Sequence, residues 1–487
     1  MKNSVLLALV VASPGAVCAQ DAQTVDALKQ ELRELRQRTE QLEQKLKRFE
    51  AAPPSTAVAA PSTNINVNAA LPRDVANTAA PSTWSPTAPI TVFRAGNSYM
   101  NLSFDGLFAV GGSTANDDQI ATLQPGGHDP IQRGFTVQNI ETTFEGAVDP
   151  FLRAQANIVF QLDRNSETTL ELEEAWMETT SLPGNLTLRA GQILTDFGRL
   201  NPTHPHTWNF VDTPLVNARL LGPDGLRNPG ARLSWLTPTP FYSELSLSVQ
   251  NSAGGTASSF RNEHEGEPFL GRLNTVRGVR GPGDMLFASR YQASFDLTPE
   301  QTLLVGASGV TGPNASNQHS DTQVYGVDLF WKWKPMTHHY GFPFVTWQTE
   351  AMMRHYRAGA FSEDFNGDGA IDADLNGNGV IDTVPRELLK DWGFYSQVAW
   401  GFKKGWVTAL RFDYVDRLLP GLYEAVFGND SERARRWRVS PTLTWYPSEF
   451  SKIRLQYNFD ERAGIGPDHS VWLQFEFLLG SHGAHKF

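Results

Sequence analysis

The chain predicts an all-β fold, a 16-stranded antiparallel transmembrane β-barrel preceded by a short N-terminal coiled-coil helix. Three observations predict it. Polar and apolar side chains alternate with period two in segments that recur from Tyr99 to Leu479. Ile453, Leu455, Tyr457 and Phe459, for example, interleave with Arg454, Gln456, Asn458 and Asp460. Successive side chains of a strand point to opposite faces, so such segments are amphipathic across their thickness. The segments are about ten residues long, the length that spans a bilayer as a tilted strand. The chain also opens with an export signal. A soluble sandwich would alternate too. The number of segments and the signal favour a barrel that is apolar toward lipid and polar toward a water-filled lumen. No run of 18 apolar residues lies beyond the signal, which excludes membrane-spanning helices.

Taken in order, residues 1–19 read as a signal peptide, with Lys2, the apolar Val5–Ala12 and the cleavage site Val17-Cys18-Ala19. Cys18 is the one cysteine, so cleavage before Gln20 leaves no disulfide and no thiol chemistry. Gly15-Ala16-Val17 is a poor lead-in for lipidation of Cys18. Residues 20–50 carry a heptad, Val25, Leu28, Leu32, Leu35, Thr39, Leu42, Leu46 and Phe49. The narrow seam favours a self-associating periplasmic coiled coil over a lone amphipathic helix. Residues 51–96 form a Pro/Ala-rich linker, too polar and proline-rich to bury a core.

Residues 97–487 form the barrel. Strands are expected at 99–111, 134–148, 152–162, 169–180, 186–194, 229–236, 241–251, 286–297, 301–311, 322–334, 343–357, 392–403, 406–417, 435–447, 450–460 and 470–479. Connections alternate between short turns rich in Pro, Gly, Asp and Ser and long loops, as outer-membrane barrels require. An even strand number returns both ends to the periplasm. Sixteen strands also leave room for an aqueous channel.

Signal, coiled coil, linker, barrel and terminal Phe487 together resemble the outer-membrane porins of Gram-negative bacteria. In particular they resemble the phosphate-selective O/P-type family, to which Leu188-Arg189-Ala190-Gly191-Gln192 followed by Phe197-Gly198 is similar. The resemblance implies a homotrimer in outer-membrane lipid whose third external loop, 195–228, folds into the lumen and narrows it. Two departures stand out. The terminal aromatic lies beyond the last strand, after a tail containing His482 and His485. The barrel region is acidic, with 31 Lys and Arg against 44 Asp and Glu, whereas phosphate needs a basic lumen. No single loop shows an arginine ladder.

On this reading Arg199, His204, His206, Asp212 and Arg219 are the expected constriction. Alternation places Asp105, Glu141, Glu145, Arg153, Arg189, Arg411, Asp413 and Arg454 on the lumen wall, where a one-residue slip would turn each toward lipid. His204 and His206 form an H-x-H pair that could share zinc or copper; His338-His339 and His482/His485 are looser pairs. The clearest metal motif is a tandem D-x-[DN]-x-[DN]-G-x-I-D. Its oxygen ligands are Asp364, Asn366, Asp368 and Asp372, then Asp374, Asn376, Asn378 and Asp382, and it predicts structural calcium. No G-x-S-x-G, H-E-x-x-H or phosphate-binding glycine loop occurs, so no enzyme is expected. The expected function is passive diffusion of small hydrophilic solutes or ions, phosphate-like anions being what the resemblance implies. Two alternatives are a zinc-linked uptake or receptor protein built on the His204/His206 loop, and an envelope tether joining the membrane to the cell wall through the coiled coil. No nucleic-acid partner is expected.

Overall fold

The computed structural model describes residues 89–261, 268–275, 278–317, 319–360, 385–422, 424, 430 and 432–480. The signal, coiled coil, both calcium motifs (364–382) and the tail with His482, His485 and Phe487 lie outside these residues.

Sixteen strands close into one barrel. They are β1 (Ser98–Ser113), β2 (Gly134–Ala147), β3 (Leu152–Leu162), β4 (Thr168–Thr179), β5 (Leu186–Leu194), β6 (Arg227–Leu236), β7 (Tyr242–Asn251) and β8 (Met285–Thr298). Then follow β9 (Gln301–Pro313), β10 (Asp321–Trp333), β11 (Phe344–Ala358), β12 (Glu387–Lys403), β13 (Trp406–Arg417), β14 (Arg436–Ser448), β15 (Ser451–Arg462) and β16 (Gly466–Leu479). Each strand pairs antiparallel with its chain neighbours, and β16 closes on β1 from Ser470↔Ser113 to Leu479↔Phe104. All sixteen expected strands are present.

Two expectations are corrected. The linker does not run to residue 96. A strand Ile90–Ala95 turns at Gly96, whose φ of 60° suits glycine, and pairs with β1 from Ile90↔Leu102 to Ala95↔Ser98. Nor does loop length alternate strictly. The connections 163–167 and 463–465 are tight turns, shorter than the 334–343 turn at the opposite end. Strands β15 and β16 run on past their expected limits to meet at Gly464 and Gly466, both at positive φ.

The barrel is inside-out relative to a soluble protein. Along β15, Arg454, Gln456, Asn458 and Asp460 are buried, while Leu455 is 48% exposed and Tyr457 37%. Outward aromatics gather in two bands. Trp392, Phe394, Tyr414, Trp437 and Phe459 lie toward the long loops; Trp400, Phe402, Trp406 and Trp445 lie toward the short turns. An apolar belt between aromatic girdles is the surface a bilayer requires.

Bulges at two places bear on the site. Opposite Leu107 and Phe108 of β1 stand Asn139 and Val137, which leaves Gln138 as an extra residue. Opposite Asn157 and Ile158 of β3 stand Glu174 and Leu172, which leaves Glu173 extra. Consecutive side chains at a bulge can face the same side. Gln138 with Asn139, and Glu173 with Glu174, are accordingly all buried.

The candidate lumen constriction

The connection 195–226 folds into the barrel, as its mix of prolines, aromatics and apolar residues led us to expect. Pro202, Pro205 and Pro214 restrict its backbone. A short 3-10 turn, Pro205–Thr207, precedes a helix, Leu215–Leu221, that ends at Gly222 with φ 116°. Leu215, Val216, Leu220 and Leu221 pack with Phe197 and Leu226 against inward-facing Leu286, Ala288, Val310, Val324, Met352, Tyr395 and Val415. This apolar core sits inside the barrel. It also takes in Ala257 and Phe260 from the connection 252–284. The first connection, 114–133, turns inward too, giving the Leu123 carbonyl to Arg438 at 2.8 Å. Among the described residues at least three connections therefore enter the lumen, where one was expected.

The far wall pins the loop through charged struts. Asp212 accepts from Arg411 at 2.6 Å, Arg438 at 2.7 Å, Asn458 at 2.8 Å and Gln456 at 2.9 Å. Burial alone would raise its pKa, but the two guanidinium groups outweigh that and hold it at about 2. Arg454 donates to the carbonyls of Phe210 (3.0 Å) and Trp208 (2.6 Å), and Lys452 to that of His206 (2.5 Å). Asp413 accepts from the Leu215 amide at 3.1 Å, and Glu350 from the Leu200 amide at 2.8 Å. Arg411, Asp413 and Arg454 thus face the lumen, as alternation predicted. The correction is to their role: each is buried against the loop rather than lining open water.

On the near wall the loop meets carboxylates. The imidazole of His204 lies between Glu173 (Nδ1 to Oε2, 2.7 Å) and Glu174 (Nε2 to Oε2, 3.2 Å). His206 Nδ1 is 3.2 Å from Asp105 and 3.5 Å from Glu141. Burial opposes the charge on His206, but these carboxylates more than offset it and raise its pKa to about 9. The two rings stack at 18° with centroids 5.8 Å apart.

A cavity of about 300 Å³ opens beside this cluster, lined by Glu141, Glu145, Arg153, Arg189, Arg199, His204 and His206 among others. One wall of it is basic. Arg153, Glu178, Arg189 and Arg232 are successive cross-strand partners on β3, β4, β5 and β6. Arg189 and Arg153 both bind Glu178, at 2.7 and 3.0 Å through their Nε atoms, and Arg232 lies 3.9 Å from it. Arg290 and Arg199 extend this wall, the latter 3.9 Å over the Phe330 ring. The arginine ladder absent from any one loop is built across strands. A second cavity of about 500 Å³ lies elsewhere, lined by Arg219, Arg354, Arg435, Arg436 and Arg462. Arg219 therefore belongs to this second cavity and not with Arg199, His204 and His206. Between them a void of about 30 Å³ shares Leu194 and Thr203 with the first cavity and Pro223 with the second. It has room for roughly one or two waters.

Glu173, Glu174, Arg232, Arg290, Arg438 and Glu350 were missed as site residues. Period-two counting would have found Arg232 and Arg438; only the bulge reveals that Glu173 and Glu174 both point inward. Among the described residues, three His/carboxylate groups are close enough to share an ion: Asp105–Glu141–His206, Glu141–Glu173–His204 and His128–Glu171–Asp224. His338 and His339 belong to none of them.

No protein-family model matches the chain. An uncharacterized protein of Aquifex aeolicus (strain VF5) is 28% identical over 386 residues, covering 74% of this chain and 73% of the relative. Among solved structures, the outer membrane channel DcaP of Acinetobacter baumannii is similar with a TM-score of 0.48 and 11% identity, over 80% of this chain and 99% of that one. An anion-selective porin from Comamonas acidovorans gives 0.47 and 8%, over 78% and 100%. None of these similarities assigns the chain to a family.

Proposed function

We propose that this chain is an outer-membrane porin, a channel for passive diffusion of small hydrophilic solutes or ions. The observation that supports it most is a closed 16-stranded barrel, apolar outside and charged inside, whose lumen holds two charged cavities parted by an inward loop. The short-turn end faces the periplasm and the long loops face outward. Three further proposals are homotrimeric assembly, a periplasmic coiled coil reaching the cell wall, and structural calcium at the 364–382 motifs.

The row Arg153–Arg189–Arg232, extended by Arg199 and Arg290, favours anions such as phosphate. Fixed charge at a narrowing selects the opposite sign. Whole-chain acidity does not oppose this, because selectivity is set at the narrowest ring and not by external loops. Glu141, Glu145 and Glu174 line the same cavity from the neighbouring strands β2 and β4, so a solute there meets fixed charges of both signs. Single-channel recording of the purified protein in a planar bilayer under a salt gradient tests the reading. Discrete conductance steps with an anion-selective reversal potential support it. A silent bilayer from correctly folded protein refutes the channel, and cation selectivity refutes the anion preference.

A further inference from the structure

The chemistry of the near-wall cluster is of the opposite kind to that of the arginine row. Asp105 and Glu141 are direct cross-strand partners on β1 and β2, and both are 0% exposed. Like charges directly opposite on neighbouring strands repel, and burial worsens this. Asp105 Oδ1 is buried and receives no hydrogen bond among the described residues. The bulge in β4 adds Glu173 and Glu174, making four carboxylates around His204 and His206. Lys452, the nearby ammonium, is already paired with Glu476.

We propose that Asp105, Glu141 and His206 bind a divalent transition-metal ion of the zinc class, with Glu173 and His204 flanking them. The geometry matches. Four-coordinate zinc with bonds of about 2.0–2.1 Å places its ligand atoms about 3.4 Å apart. His206 Nδ1 stands 3.2 Å from Asp105 Oδ2 and 3.5 Å from Glu141 Oε2. Glu141 Oε2 is also 3.5 Å from His204 Nδ1, so one carboxylate oxygen faces both rings. Imidazole with carboxylate selects zinc-class ions over calcium or magnesium, which prefer all-oxygen sites. Glu141, Glu174, His204 and His206 all border the 300 Å³ cavity, which gives the ion a path in. Bound metal would join the loop to β1 and β2 and strengthen the constriction. Binding itself is independent of the channel reading, because it is measured without conductance.

The test is equilibrium dialysis of the full chain in detergent against zinc chloride. It uses an H338A/H339A/H482A/H485A background so that the other paired histidines do not contribute. The expected result is one zinc per chain, weakened at least about tenfold by His206→Ala and equally by Asp105→Asn, which keeps the side-chain volume. Cobalt substitution should give the visible absorption of a four-coordinate site, and Asp105→Asn should lose it. Two results would overturn the proposal: no stoichiometric zinc in this background, or zinc binding unchanged by both substitutions. Heat-modifiable gel mobility identifies any variant that has not folded, and Asp105→Asn alone then decides.

Discussion

Asp212 is the hub that holds the inward loop, and Asp212→Asn tests that role. The side chain is wholly buried and joins Arg411, Arg438, Gln456 and Asn458 to the loop. Arg411, Arg436 and Arg438 are balanced by Asp212, Asp413 and Asp460. Asparagine leaves this group with one uncompensated positive charge. A carboxyl held at about 2 against an ordinary 3.8 corresponds to about 2–3 kcal/mol favouring the docked, ionised form. Removing one partner of a buried pair costs about 3–5 kcal/mol. The lower range applies here, because Arg411 keeps Asp413 at 2.7 Å and Arg438 keeps Asp460 at 2.7 Å. At about 1.4 kcal/mol per decade, a loss of about 3 kcal/mol raises the undocked population roughly 100-fold. The assay is single-channel recording of wild type, Asp212→Asn and Asp212→Glu. The expected result for asparagine is larger mean conductance with added open-channel noise, smaller in the glutamate variant. Folded Asp212→Asn protein with wild-type conductance and noise would refute the claim that this anchor keeps the passage narrow.

Three other outcomes follow from the same geometry. Because the folded pKa of Asp212 lies below its ordinary value, its contribution is complete above about pH 4 and is lost as pH falls toward 2; channel noise should rise over that window in wild type and be absent as a pH-dependent change in Asp212→Asn. Arg189→Gln with Arg232→Gln removes two adjacent charges from the basic wall and should move the reversal potential toward cations by tens of millivolts, an order of magnitude set by electrostatic selection at a charged ring; an unchanged potential would place the selective ring elsewhere. Gly326 faces the loop, and a Cβ there would stand 2.8 Å from the Phe197 ring, so Gly326→Val should displace Phe197 and lower thermal stability by about 1–3 kcal/mol, read from shifted thermal unfolding in detergent.

Much of this protein was legible in its sequence because period two is a local property. Polar–apolar alternation located all sixteen strands and turned Arg411, Asp413 and Arg454 inward, since neighbouring side chains of a strand oppose each other whatever they touch. The prolines and apolar residues of 195–228 marked a loop that must pack, and the H-x-H pair marked the two rings that meet the near-wall carboxylates. Only the tertiary structure decided what these residues do. The bulge that brings Glu173 and Glu174 to one side depends on the register of β3 against β4. The arginine row depends on the registers of four strands at once. Asp212 meets Arg438 across 226 residues of chain, a separation over which no local pattern carries information. Alternation determines which way a side chain points; closure of the barrel and the path of the inward loop determine what it meets.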